Sequence, residues 1–147
     1  MLAHQVVPIE VGRLRAALAA HGTWFGDGAG RFVTETEEGL ALHAELDAVR
    51  PAALVFRCRW PRRLSVDHQA RLRDVLDAAN RTSDGVKLAL SIDDRGRLAV
   101  VAEISHWLQA GVSDRQLTLL LEAALARLPR VIAHLDAAFP DPFGASA

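Results

Sequence analysis

The chain has 147 residues, half of them apolar and about a quarter charged, with a net charge of −1. That is the profile of a soluble globular domain, which at this length needs no disulfide or metal to hold it together. The near-neutral charge argues against a dedicated nucleic-acid binder, and no apolar run is long enough to span a membrane. We therefore expect one domain over residues 1–147, no membrane contact and, since residues 1–7 do not resemble a signal peptide, a cytoplasmic location.

The first predicted element is a helix over residues 8–20. Pro8 suits a first helical turn because its missing N–H is no loss there. Apolar side chains recur at helical spacing along this segment and form one narrow face: Val7, Val11, Leu14 and Leu18. Residues 26–30, which include three glycines, then predict a flexible loop.

Alternation of apolar and polar residues predicts three strands, at residues 31–36, 40–46 and 52–60. A polar turn ending in Gly39 joins the first two strands, and Pro51 marks the start of the third. The third strand is predicted to place Cys58 and Trp60 on one face with Leu54 and Phe56, and to place Arg57 and Arg59 on the other face with Val55.

A second helix is predicted from the cap residue Ser65 to residues 80–83. Its outer face carries only charged side chains: Arg71, Arg73, Asp74, Asp77 and Arg81. A hairpin follows, with strands at residues 86–92 and 98–104 and a turn at 93–96 that ends in Gly96.

The last predicted element is a long helix over residues 113–139. Ser113 is a good N-cap, and Gln116 stands at the spacing of a capping box. A continuous apolar stripe runs along the helix, which indicates burial against a wide surface. Pro129 is expected to kink the helix near residues 125–128, and residues 140–147 are expected to be a flexible tail.

These elements predict an α+β single domain of order α-β-β-β-α-β-β-α. We expect an antiparallel sheet covered by the first and last helices, with the second helix also on the sheet or at its end. The sequence contains no internal repeat and no linker.

Three segments carry a resemblance to a known family. They are residues 76–80 (LDAAN), the hairpin at 86–104 with its turn, and residues 111–117 (GVSDRQL) with the leucines that follow. In these segments and in its order of elements the chain resembles the YbjN family, described as bacterial sensory transduction regulators. That family is in turn similar to the type III secretion chaperone-like fold.

The resemblance implies a small, often dimeric, non-enzymatic domain that binds a segment of another protein. The secretion chaperones tend to dimerise through an apolar surface around their second helix, whereas the corresponding outer face is charged here. Leu119, predicted on the back of the last helix among small residues, is the alternative candidate for a homodimer contact.

No catalytic, metal or cofactor-binding residue is expected. Cys58 is predicted to be a buried, inert thiol, and the six histidines are scattered without ligand spacing. The glycine-rich residues 26–30 follow a helix instead of a strand and lack a P-loop lysine. Asp93 and Asp94 are explained by their position in a hairpin turn.

The candidate partner-binding residues are Arg57, Arg59, Trp60, Trp107 and Leu119. Arginines beside an aromatic ring can clamp a phosphate or an acidic peptide, but Arg57 and Arg59 can equally pair with Glu45 or Glu103 on neighbouring strands. Our first hypothesis is therefore a regulatory module that binds a protein or peptide on an exposed sheet face or edge. The alternatives are a small-molecule binder or minor enzyme with a pocket near Trp24, Trp60 and Trp107, and a nucleic-acid binder through residues 57–63, which the net charge disfavours.

Overall fold

A computed structural model describes residues 2–47, 52–82 and 85–140. Short 3-10 helices at Leu2–His4 and Val66–His68 accompany three α-helices and six strands. The helices are α1 (Val11–Ala19), α2 (Gln69–Thr82) and α3 (Asp114–Ala138). The strands are β1 (Phe25–Gly26), β2 (Arg31–Glu35), β3 (Ala41–Asp47), β4 (Ala53–Arg59), β5 (Lys87–Ile92) and β6 (Leu98–Trp107).

All six strands form one antiparallel sheet in the order β1-β2-β3-β4-β6-β5. The α+β class and the order of the long elements are as predicted, and β6 runs three residues further than expected, to Trp107. Strand β1 was missed because it holds only two residues at the start of a glycine-rich segment. Gly26 is required there, since a Cβ atom on it would lie 2.6 Å from the ring of Phe32.

The core lies between the sheet and a layer of three helices. Alternate side chains of the central strands are buried, among them Leu42, Ala44, Leu54, Phe56 and Ala102. Helix α3 packs on β4 and β6, α1 packs against α3, and α2 packs against β5. The apolar stripe predicted on α3 is buried at Leu117, Leu121, Ala124, Leu128, Ile132 and Leu135.

Helix α1 begins at Val11, three residues later than predicted. The backbone of Val7 pairs with that of Val112 in both directions, which holds the preceding segment extended. Arg13 secures the same junction, because its guanidinium donates to the carbonyl oxygens of Val7, Pro8 and Val112 and pairs with Asp114. Long-range pairing therefore overrides the helix start that Pro8 indicates.

Helix α3 begins as the sequence predicts and continues through Pro129. The predicted bend at that proline stays a prediction. Pro51 at the start of the third predicted strand, Ser83 at the end of the second predicted helix and residues 141–147 of the predicted tail lie outside the described residues. Within the described part of the chain, no helix has the length and hydrophobicity needed to cross a membrane.

Candidate functional site

The candidate site is the face of the sheet opposite the helices, which we call the open face. The three α-helices pack on the other face, so none of them covers it. Strand alternation places a set of exposed or half-buried side chains on the open face. They belong to Val33, His43, Glu45, Val55, Arg57, Arg59, Val101, Glu103, Ser105 and Trp107.

Arg57 lies at the centre of the open face. Its guanidinium donates from Nε to Glu103 on β6 and from Nη1 to Glu45 on β3, both at 2.8 Å. The hydrogen bond to Glu103 raises the pKa of Arg57. Burial alone would raise the pKa of Glu103, but hydrogen bonds from Arg57 and from Ser105 together lower it. This three-strand ion pair is the pairing predicted from the sequence, and it leaves Arg57 little freedom to bind a second anion.

Trp107 and Arg59 are two exposed groups of the open face. Trp107 is 67% exposed at the end of β6, opposite Ala53 at the start of β4. Arg59 is exposed at the other end of β4, and its guanidinium makes no hydrogen bond or ion pair with any described residue. An exposed indole is a frequent anchor of protein–protein interfaces.

Trp60 does not belong to an accessible surface. It is fully buried, and its Nε1–H donates to Asp136 of α3 at 2.8 Å while its ring packs against Phe139. Its partner-binding role is therefore corrected to a structural one. Asp136 was missed because a polar residue beside the buried stripe of a helix has no signal in the sequence that names its distant partner.

The alternative hypothesis requires the three tryptophans to surround a common pocket, and they do not. Trp107 lies beside the first residue of β4 and Trp60 follows the last, so about 20 Å of strand separates them. Trp24 lies in a third place, near Phe32 and α1.

The basic stretch at residues 57–63 is largely engaged in the fold. Arg62 donates to the carbonyl oxygen of Phe139 and lies over the Trp60 ring. Arg63 donates to the carbonyl oxygen of Trp60 and lies 3.5 Å from Asp93. This arrangement disfavours a nucleic-acid site, which would need arginines free to contact phosphates.

Leu119 lies on the helical side of the molecule, on α3, and is 51% exposed. It is not part of the open face. The five predicted partner-binding residues therefore fall in three places. Arg57, Arg59 and Trp107 are on the open face, with Arg59 and Trp107 at opposite ends of β4, Trp60 is inside and Leu119 is on the helices.

Comparisons with known proteins agree with this architecture. A family model named YbjN, with the description "Putative bacterial sensory transduction regulator", matches residues 13–137. The chain belongs to the YbjN family. No curated protein sequence matches it significantly.

Solved structures similar to this YbjN-family chain have the same fold. YbjN from E. coli has a TM-score of 0.72 and 20% identity, with 90% of this chain and 96% of that one covered. A structure of the ExsC–ExsE complex has a TM-score of 0.58 and 20% identity, with coverage of 94% and 99%. A structure of the HopA1–SchA chaperone–effector complex has a TM-score of 0.51 and 16% identity, with coverage of 86% and 97%. A protein described as a chaperone in complex with its effector is thus among the fold neighbours of this YbjN-family protein.

Neither an activated thiol nor a metal-ligand cluster is present among the described side chains of this YbjN-family protein. Burial raises the pKa of the Cys58 thiol to about 11, so it is protonated at neutral pH and a poor nucleophile. No three histidine, cysteine or carboxylate side chains of the described residues come together as metal ligands. The open face presents an exposed aromatic ring, a free guanidinium and half-buried valines, which suit contact with another protein.

Proposed function

We propose that this YbjN-family protein is a non-enzymatic regulatory module of the bacterial cytoplasm that binds a segment of another protein through its open face. The observation that carries the proposal is a sheet whose second face carries none of the described helices yet exposes Trp107 and Arg59 along with half-buried valines. ExsC and SchA, which share the fold, were both solved in complexes with a second protein, and SchA in a complex described as chaperone and effector.

Within the open face, Arg57 and Arg59 have different roles in the proposal. Arg57 links β3, β4 and β6 through its two carboxylate partners, so replacing it would remove side-chain contacts within the surface itself. Arg59 and Trp107 can be replaced without removing any side-chain bond that the structure describes. They are therefore the residues on which to test binding.

The test is capture of partners from the lysate of the native bacterium by immobilised protein, quantified by mass spectrometry. We expect Trp107→Ala and Arg59→Glu each to reduce the retained partner about tenfold, the usual loss at an interface anchor. Val66→Ala, at another exposed apolar side chain, and Arg73→Glu, an equal charge change on α2, are the matched controls and should retain it. Equal retention by all variants would exclude the open face as the binding surface, and specific retention of no protein would count against the function.

A further inference from the structure

A second surface with ligand-binding character lies on the helical side of the molecule, at the opposite edge from β5. It is a groove between the second half of α3 and the turn that joins β2 to β3, and we call it the Pro129 groove. Leu125 and Pro129 of α3 form its floor, Phe25 of β1 lies at its end, and Glu37 and Glu38 line its wall.

The floor of the Pro129 groove is apolar and incompletely covered. Leu125 and Pro129 are only half-buried, and Phe25 is 69% exposed. The neighbouring α3 positions are the small residues Ala126 and Ala133, both exposed, which let another chain approach the helix closely. An aliphatic or aromatic side chain placed here would bury apolar surface that the fold leaves in water.

The same floor contains a backbone acceptor without its helical donor. In an α-helix the carbonyl oxygen of Leu125 accepts from the N–H four residues later. That residue is Pro129, which has no N–H. The Leu125 carbonyl therefore lacks its usual helical hydrogen bond, and both residues line the groove.

The wall of the Pro129 groove is acidic. Glu35, Glu37 and Glu38 are all exposed and line it, and none of them makes an ion pair with a described residue. Asp93, in the other hairpin turn, is by contrast paired with Arg63 and Arg97. Arg130 of α3 also lines the groove, so three carboxylates face a single guanidinium, and the excess of negative charge favours a cationic ligand.

We propose that the Pro129 groove binds a partner segment in which apolar side chains are interleaved with lysine or arginine. The apolar side chains cover Leu125, Pro129 and Phe25, and the cations face Glu37 and Glu38. This inference rests on the proposed protein-binding function and assigns that function a second contact surface and the chemistry of the segment it accepts.

The test uses three labelled peptides of equal length that share their apolar positions and carry lysine, glutamine or glutamate at the intervening positions. Fluorescence anisotropy measures their affinity for the purified protein. We expect the lysine peptide to bind at least about tenfold more tightly than the glutamate peptide near 0.1 M salt, with the difference shrinking as salt is added. Phe25→Ala should weaken the lysine peptide, since it removes an apolar contact without changing charge.

Charge reversal separates the groove from the net charge of the molecule. Glu37→Lys with Glu38→Lys should reverse the peptide preference, while the matched control Asp74→Lys with Asp77→Lys, on the charged outer face of α2, should preserve it. Circular dichroism checks that both double variants are folded. Equal affinity for the three peptides, binding of none, or a preference that both double variants change equally would overturn the groove proposal. The lysate experiment distinguishes the two proposals, because retention through Trp107 can persist while every groove result is negative.

Discussion

The fold places His106 where a positive charge on its imidazole is unfavourable. It lies near the end of β6 on the side of the helices, half-buried, with its ring edge-on to that of Phe56 at 6.4 Å. Its Nε2 is buried without a hydrogen-bond partner in the described structure. Burial lowers the pKa of His106, and the positive charge of Arg127 on α3 lowers it further. The folded state therefore favours the neutral imidazole.

This predicts a loss of stability in mild acid. In the unfolded chain the pKa of His106 returns to about 6.5. Just below that pH, His106 therefore binds a proton in the unfolded state but not in the folded state. The free energy of unfolding should fall as the pH drops from 7 through 6.5, and this contribution should level off once the pH is below the folded pKa. Urea denaturation at several pH values measures it.

A substitution isolates the contribution of His106. His106→Leu should flatten the decline between pH 7 and pH 5, because the variant has no imidazole to protonate. His43→Leu replaces an exposed histidine of the open face and is the control. An unchanged slope in His106→Leu would show that other groups govern the acid sensitivity.

The capping box of α3 is the clearest element that local sequence defines. Ser113, only 3% exposed, accepts the N–H of Gln116 on its Oγ at 3.1 Å, and the Gln116 side chain accepts the N–H of Ser113 at 2.9 Å. Both partners lie within one turn, so nothing distant is needed to form them. That is why the start of α3 was predicted to the residue, while the start of α1, which depends on Val112, was not.

Removal of the cap should destabilise the whole protein, since α3 packs on the centre of the sheet. Ser113→Ala should lower the free energy of unfolding by about 1 kcal/mol, the usual cost of losing an N-cap serine. Arg115→Ala, in the same turn but outside the cap, should change it by less than about 0.5 kcal/mol. Similar losses in the two variants by urea denaturation would mean that the box contributes no stability of its own.

The whole molecule has two layers, the sheet and the helices. The exposed residues of the helical layer are the candidates for a contact between two copies of the chain. The outer face of α2 is charged and exposed at Arg73, Asp74 and Asp77. Leu119 is instead a half-exposed leucine on α3 beside Thr118 and Arg115. We propose Leu119 as the contact between two copies of the chain, because the Leu119 side chains of the two copies can bury each other at a two-fold axis.

Sedimentation velocity over a range of concentrations tests this homodimer. Full burial of a leucine stabilises by roughly 1.5–3 kcal/mol, so Leu119→Arg should weaken self-association by at least about tenfold. Val66→Arg makes the same kind of change at an exposed apolar residue of the short 3-10 helix before α2 and should have no effect. A wild-type chain that stays monomeric at all concentrations would leave Leu119 as a singly exposed apolar side chain.

Contacts between distant segments of the chain explain which predictions about individual residues were confirmed and which were corrected. The partner of Arg57 was predictable because strand alternation and the hairpin order bring Glu45 and Glu103 to its face. Trp60 could not be assigned, since its donor role depends on Asp136, far along the chain. The Pro129 groove had no sequence signal as a unit, because its floor and wall come from α3 and the β2–β3 turn.

By itself the sequence determined the class of the fold, the order of its long elements, the buried state of Cys58 and the start of α3. These follow from periodicity, turn residues and capping, which act over a few residues and can be read in order. Only the tertiary structure decided that β1 joins the sheet, that Trp60 donates to Asp136, that all three helices share one face, and that Trp107 and Arg59 are left free on the other. Those outcomes depend on which distant surfaces meet, and burial is a property of the packed molecule instead of any single segment.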